Sequence, residues 1–228
     1  MLFAYREKRW EGNPAGSAMN VVRTTFVELM NSKLVVFLLI ASAFWASFTQ
    51  LWDMLPNFIV DWIDTEAIAV QMPAFMRARG SYGVHLAQEW IINLNPLLII
   101  VFVAPLSWMM NRSFSRLATM TAGVVVASAG MLAVGSTMSG YACLAGIALF
   151  SFGEMMCSPK MNEYLAVIAP HDRKALYMGY ANIPFAIGWA YGSLAAGGLY
   201  ARWGEKATLA IRYLREEMGV IDIPQRST

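Results

Sequence analysis

Long apolar blocks alternate with short polar connections along the chain, and the length of the blocks sets the first prediction. A helix rises about 1.5 Å per residue against a hydrocarbon core of about 30 Å, so about 20 mostly apolar residues cross a bilayer. Five blocks approach or exceed that length: 34–60, 85–110, 117–134, 141–168 and 176–200. Pro96, Pro105 and Pro184 fall inside them. Membrane helices tolerate such prolines because neighbouring groups re-satisfy the freed carbonyls. The predicted fold is an all-α membrane protein with about five transmembrane helices in residues 34–200. A polar segment, 1–33, precedes the bundle and a tail, 201–228, follows it. In the tail, 205–218 predicts a short amphipathic helix with Leu209, Tyr213 and Met218 on one side, Gly219 as its C-cap and Pro224 beyond.

Composition agrees with the blocks. Hydrophobic residues make up 57% of the 228 residues, charged residues 14%, and mean hydropathy is +0.47. A soluble domain carries about 25% charged residues, so too few are present to coat a water-facing surface. The net charge of +2 and the lack of a basic run exclude a nucleic-acid partner. Cys143 and Cys157 lie inside apolar blocks and read as small buried hydrophobes. No metal-ligand cluster, phosphate loop or nucleophile–base set stands out, and His85 and His171 are isolated near the block ends. The expectation is a protein that is not an enzyme and needs no metal or cofactor.

Charges in the connections set the orientation, since cytoplasmic loops collect Lys and Arg. Arg6, Lys8, Arg9, Arg23 and Lys33 precede the first block; Arg112 and Arg116 separate the second and third; His171 to Lys174 separate the fourth and fifth. The opposite side receives Asp61, Asp64, Glu66, Arg77 and Arg79, then the uncharged turn 135–140. The expectation is a multi-pass protein of the cell's inner (plasma) membrane, with a cytoplasmic N-terminus, an extracytoplasmic tail and membrane lipid as its surroundings.

Polar groups at membrane depth are costly and usually face a cavity or a partner. Glu154 lies roughly 20 Å along its block from the outer end, with Ser158 one turn on. It reads either as a carboxylate that binds a cation or carries a proton, or as one that serves only helix packing. Asn93 and Asn95 precede Pro96, which frees a carbonyl one turn earlier. Such a break suits a binding site near the midplane, and equally a plain kink with an interhelical hydrogen bond. Thr49 and Asp53 share a face, with Gln50 beside them; Asp53 is a candidate proton carrier or an interfacial residue. Trp189 either lines a cavity or packs, and Gly192, Gly197 and Gly198 read as points of close helix contact.

In order and spacing these motifs resemble the proton-dependent oligopeptide transporters of the major facilitator superfamily. Phe44-Trp45-Ala46-Ser47-Phe48-Thr49-Gln50, Leu94-Asn95-Pro96 and Ala104-Pro105-Leu106 are similar to their seventh and eighth helices. Gly153-Glu154 with Ser158-Pro159 is similar to the tenth; Ala175 to Gly179 with Ala186-Ile187-Gly188 is similar to the eleventh. The resemblance covers about Lys33 to Gly198. It implies part of a major-facilitator C-terminal helix bundle, spans seven to eleven of twelve, with 1–33 as the interbundle segment. It also implies a symporter for di- and tripeptides or related small solutes, whose complementary N-terminal six-helix bundle is encoded upstream or supplied in trans. By position, Glu154 meets the substrate's amino end, Asn95 contacts substrate backbone, and Ser158 and Trp189 complete the substrate-binding set. Thr49, Gln50 and Asn93 line the cavity. Family members carry an acid where this chain has Thr49, so Asp53, one turn on, is expected to share proton coupling with Glu154. The alternatives are a major-facilitator transporter of a non-peptide solute, for which the missing acid argues, and a non-transporting truncated module or gene remnant.

Overall fold

Proline positions explain where the long blocks break into helices. The computed structural model describes residues 23, 25–27, 29–80, 83–171 and 173–219. Helix α1, Ser32–Asp53, is capped by Asn31, whose side chain accepts from the Lys33 amide at 3.1 Å. The chain restarts as α2, Leu55–Trp62, with Pro56 in the first turn. A short α3, Glu66–Ala69, leads to an antiparallel hairpin of β1, Arg77–Gly80, and β2, Gly83–Leu86. Then α4, Gln88–Ile92, breaks at Asn93 before α5, Leu94–Ser113, whose first turn holds Pro96. Helices α6, Arg116–Gly135, and α7, Gly140–Ile168, follow. The short α8, Lys174–Tyr180, turns at Ala181 into α9, Asn182–Trp203, with Pro184 in its first turn, and α10 covers Lys206–Glu216. A proline in a first turn has no intrahelical N–H bond to lose. Pro56, Pro96 and Pro184 therefore start helices instead of kinking them.

These breaks correct several boundaries. The first block divides at Met54. The second does not begin at His85, which pairs with Ala78 in the hairpin; its helical run begins at Gln88. The fifth divides at Ala181, and the tail helix ends at Glu216, capped by Glu217 rather than by Gly219. Most of the 1–33 segment, Asp172 and the tail beyond 219 lie outside the described residues. Among the described residues, α1, α4–α5, α6 and α7 are long and apolar enough to cross a membrane. Helix α9 matches α1 at 22 residues, but its glycines and polar-edged aromatics make it less apolar. The result is an all-α membrane bundle with one small hairpin at one end.

Two seams of small residues hold the bundle. In the first, α6 and α7 run antiparallel with Gly123 against Gly153 and Gly130 against Gly146. A Cβ on Gly123 would lie 2.7 Å from the Gly153 carbonyl oxygen, and one on Gly130 2.7 Å from that of Gly146. The backbones touch there with no room for a side chain, as happens where lipid cannot drive association and packing must. In the second, α1 and α9 run parallel. A Cβ on Gly188 would meet the Ser42 carbonyl at 2.7 Å, and one on Gly192 the Ala46 carbonyl at 2.8 Å. Gly197 and Gly198, expected at close contacts, have open space beside them instead.

Helix α7 is the most buried of the long helices and joins the two pairs. Its Phe150 stacks on Phe48 of α1, and its Cys157 and Met161 pack with Ala41 and Phe44. At one end, Leu34, Leu38, Leu165, Ala169, Tyr177 and Tyr180 form a core beneath the connections that carry the basic residues. At the other, the Asp64 amide donates to the Met138 carbonyl at 2.7 Å and the Gly140 amide to that of Asp64 at 2.8 Å. The basic connections thus share one end and the Asp64 and 135–140 connections the other.

The seam makes a contrast measurable. Gly153→Ala pushes a methyl into the α6 backbone and is expected to destabilise by about 1–3 kcal/mol. Gly197→Ala meets nothing and should be neutral or stabilising by up to about 1 kcal/mol. Thermal unfolding of both variants in detergent micelles checks the ranking.

Candidate functional site

Gly153 faces α6, so Glu154, about 100° further round the helix, faces α5. There the start of α5 presents Asn95 from its first turn. The Asn95 amide nitrogen donates to Glu154 Oε2 at 2.8 Å and to Ser151 Oγ at 3.0 Å, and Ser151 in turn donates to the Ile147 carbonyl at 2.7 Å. Asn95 is 1% exposed, Ser151 0% and Glu154 6%. Glu154 Oε1 makes no hydrogen bond among the described residues, yet it is not fully sealed from the surface. One oxygen is pinned by an amide and the other is open to a donor. A buried carboxylate left half-satisfied is expensive, so a cation or a proton at Oε1 would lower its energy.

A run of aromatic rings leads away from this carboxylate. Phe150 lies one turn before Glu154 on α7 and stacks on Phe48 with centroids 6.0 Å apart. Phe48 meets Trp45 edge-on at 5.2 Å, Trp45 meets Phe185 of α9 at 5.1 Å, and Phe185 meets Trp189 at 5.0 Å. Trp189, at 42% exposed, forms the open end of the series. Ring faces carry negative potential and attract organic cations, the more so away from water.

The other sequence candidates separate from this centre. Thr49 is 1% exposed and sits where α1 meets Gly192, and Gln50 donates to the Gly192 carbonyl at 3.1 Å. Both belong to the α1–α9 seam and do not line an open cavity, because the glycine lets the helices close over them. Asn93 is exposed and donates to the Glu89 carbonyl at 2.7 Å, which closes the helix break. Ser158 is half-buried and bonds to neither Glu154 nor Asn95 among the described residues. Asp53 shares the Thr49 face, and that face meets α9: Ser193 Oγ donates to Asp53 Oδ2 at 2.5 Å. Asp53 opens onto a cleft of about 650 Å³ towards the Asp64 end, with Asp61, Gln88, Tyr200 and Glu205 among its walls. Tyr200 donates to Asp61 Oδ2 at 2.5 Å, and Gln88 Oε1 is buried there without a partner among the described residues.

Sequence reading passed over two residues that the structure brings forward. Ser151 anchors Asn95 and carries no signal of its own in an apolar helix. Lys160 is 5% exposed and bonds to Asn111 and, at 2.7 Å, to Glu163. The rule that singled out Glu154, an ionisable group inside an apolar block, applies equally to Lys160.

No family model matches the chain. Among curated proteins, it is 27% identical over 118 residues to the multidrug resistance protein MdtH of Proteus mirabilis, covering 52% of this chain and 30% of that protein. The MdtH proteins of Shigella boydii and Escherichia coli K12 are 24% identical over 133 residues and 25% over 118. Those matches cover 58% and 52% of this chain, and 33% and 29% of the relatives. The matched stretch therefore spans about a third of these relatives, whose name attaches them to multidrug resistance and not to peptides.

The Asn95–Glu154 bond predicts an asymmetry between neighbouring asparagines. Asn95→Ala leaves a buried carboxylate without its donor and should cost about 1.5–3 kcal/mol, the usual range for a hydrogen bond to a charged group. Asn93→Ala removes an exposed bond and should change stability by less than about 0.5 kcal/mol. Paired thermal melts in one detergent check the difference.

Proposed function

We propose that this chain forms one wall of a secondary transporter of the major-facilitator kind, and that its substrates are aromatic, amphipathic organic cations. The observation that carries the reading is Glu154 itself: a buried carboxylate with one oxygen held by Asn95 and the other open, at the head of a run of five aromatic rings. A cation would place its charge at Oε1 and its hydrophobic body along the half-buried Phe48 and Trp45, which the buried Phe150 backs. The likeness to multidrug resistance proteins supports a non-peptide solute, and so does Thr49 at the place where peptide transporters carry an acid.

In this reading a proton and the cation compete for Glu154, so arrival of one releases the other and couples their movements. Asp53, at the rim of the cleft and bonded to Ser193, is the second proposed proton carrier. A complementary bundle closes the site from the opposite face, and the two rock about it to expose it to either side. The basic end faces the cytoplasm of an inner-membrane protein, in keeping with the excess of Lys and Arg there.

The test is transport in proteoliposomes that hold the chain together with its complementary bundle, under a pH gradient. Tetraphenylphosphonium should move, and Glu154→Gln should slow it by about tenfold or more, the loss of one charge-assisted contact. Movement of di- and tripeptides with no movement of the cation would overturn the proposed substrate class.

A further inference from the structure

At the basic end, three helices meet around a groove whose chemistry differs from that of the central site. It has a volume of about 670 Å³, and Asn111, Arg116, Lys160 and Glu163 form its polar floor. Lys160 lies about 30 Å along α7 from its start, one hydrocarbon thickness, and therefore at headgroup level. Glu163 ties the floor together, accepting from Lys160 Nζ at 2.7 Å and from Arg116 Nε at 3.3 Å. Two cations against one carboxylate leave the floor with an excess of one positive charge.

Arg116 is where that excess is available. Its side chain is 54% exposed, and it uses only Nε on Glu163; its two terminal nitrogens have no hydrogen bond among the described residues. Arg116 also opens the 20-residue helix α6, with Ser115 as the N-cap. Ser115 takes up the amides of Ala118 and Thr119, which leaves those of Arg116 and Leu117 without a hydrogen bond among the described residues, at the positive end of the helix. Outside the floor stand exposed apolar side chains: Phe114 at 59%, Leu117 at 58% and Val167 at 59%. An anionic head with hydrocarbon attached fits both halves of the groove.

We propose that this groove binds the phosphate of an anionic phospholipid. The phosphate sits on the Arg116 guanidinium and the first amides of α6, and the acyl chains start beside the exposed Leu117 and run inward from it. Basic pockets between spanning helices at the cytoplasmic side are suited to such headgroups. Glu163 restrains Lys160 and Arg116 before the lipid arrives, so the seat is preformed. The site is separate from Glu154 and does not depend on what the central site carries.

The full chain in nanodiscs of equal phosphatidylglycerol and phosphatidylcholine provides the test, with bound lipid read by native mass spectrometry after release. Phosphatidylglycerol should be retained in preference to phosphatidylcholine. Arg116→Gln should reduce that preference by roughly fivefold, the factor one basic side chain contributes at an anionic surface. Arg79→Gln, in the hairpin at the other end, should leave it unchanged. Equal retention of both lipids, or a preference that survives Arg116→Gln, would overturn the proposal. So would displacement of the lipid by inorganic phosphate, which would mark a free-phosphate site. Because Arg116 is exposed and opens its helix, its replacement is compatible with folding, and an unchanged melting temperature without added lipid confirms that.

Discussion

Backbone contact between α6 and α7 sets the geometry of everything else. In a bilayer the lipid tails are as apolar as leucine, so helices gain little from burying one another and must gain from close packing. Gly123, Gly130, Gly146 and Gly153 supply it, two turns apart on each helix and facing one another across the antiparallel pair. Once Gly153 is against α6, the rotation of α7 is fixed. Glu154 is turned to Asn95, and Phe150, one turn back on the Glu154 side, is turned to Phe48 of α1. The carboxylate and its aromatic path are two consequences of one seam.

The bundle separates its charges by depth. Glu154 sits in the interior with one amide donor among the described residues. The carboxylates Asp53 and Asp61 sit towards one end, each accepting from a hydroxyl of α9. Lys160, Arg116 and Glu163 sit at the other end beneath the basic connections. A cation crossing the bundle would meet acids at the cleft and in the centre, while the basic end is suited to anionic lipid. The same arrangement is in keeping with the proposed substrate class.

Much of the fold was legible because membrane helices announce themselves by length and composition. The positions of the connections and the shared end of the basic ones followed from simple rules, and so did Glu154 and Asn95 as residues out of place in an apolar block. The seams were harder to read. Gly192, Gly197 and Gly198 read alike in the sequence, since glycine in a membrane helix looks the same whether it faces a backbone or open space. The hairpin around His85 was hidden because Val84, Leu86 and Ala87 run into the apolar block that follows. Spacing puts Thr49 and Asp53 on one face; which helix that face meets depends on the partner's glycines, a long-range fact that local spacing does not carry. Ser151 was invisible for the same reason, because its role exists only once α5 is beside α7.

The central claim is that Glu154 and the aromatic path act on one ligand. A double-mutant cycle on tetraphenylphosphonium binding, with Glu154→Gln, Phe48→Ala and the double variant in the chain combined with the proposed complementary bundle, tests it most directly. Residues that share a ligand couple by about 0.5–3 kcal/mol, whereas independent sites add. The account predicts that the double variant loses less affinity than the sum of the single losses, by a coupling in that range. Strict additivity, or no loss of affinity in Glu154→Gln, would contradict it.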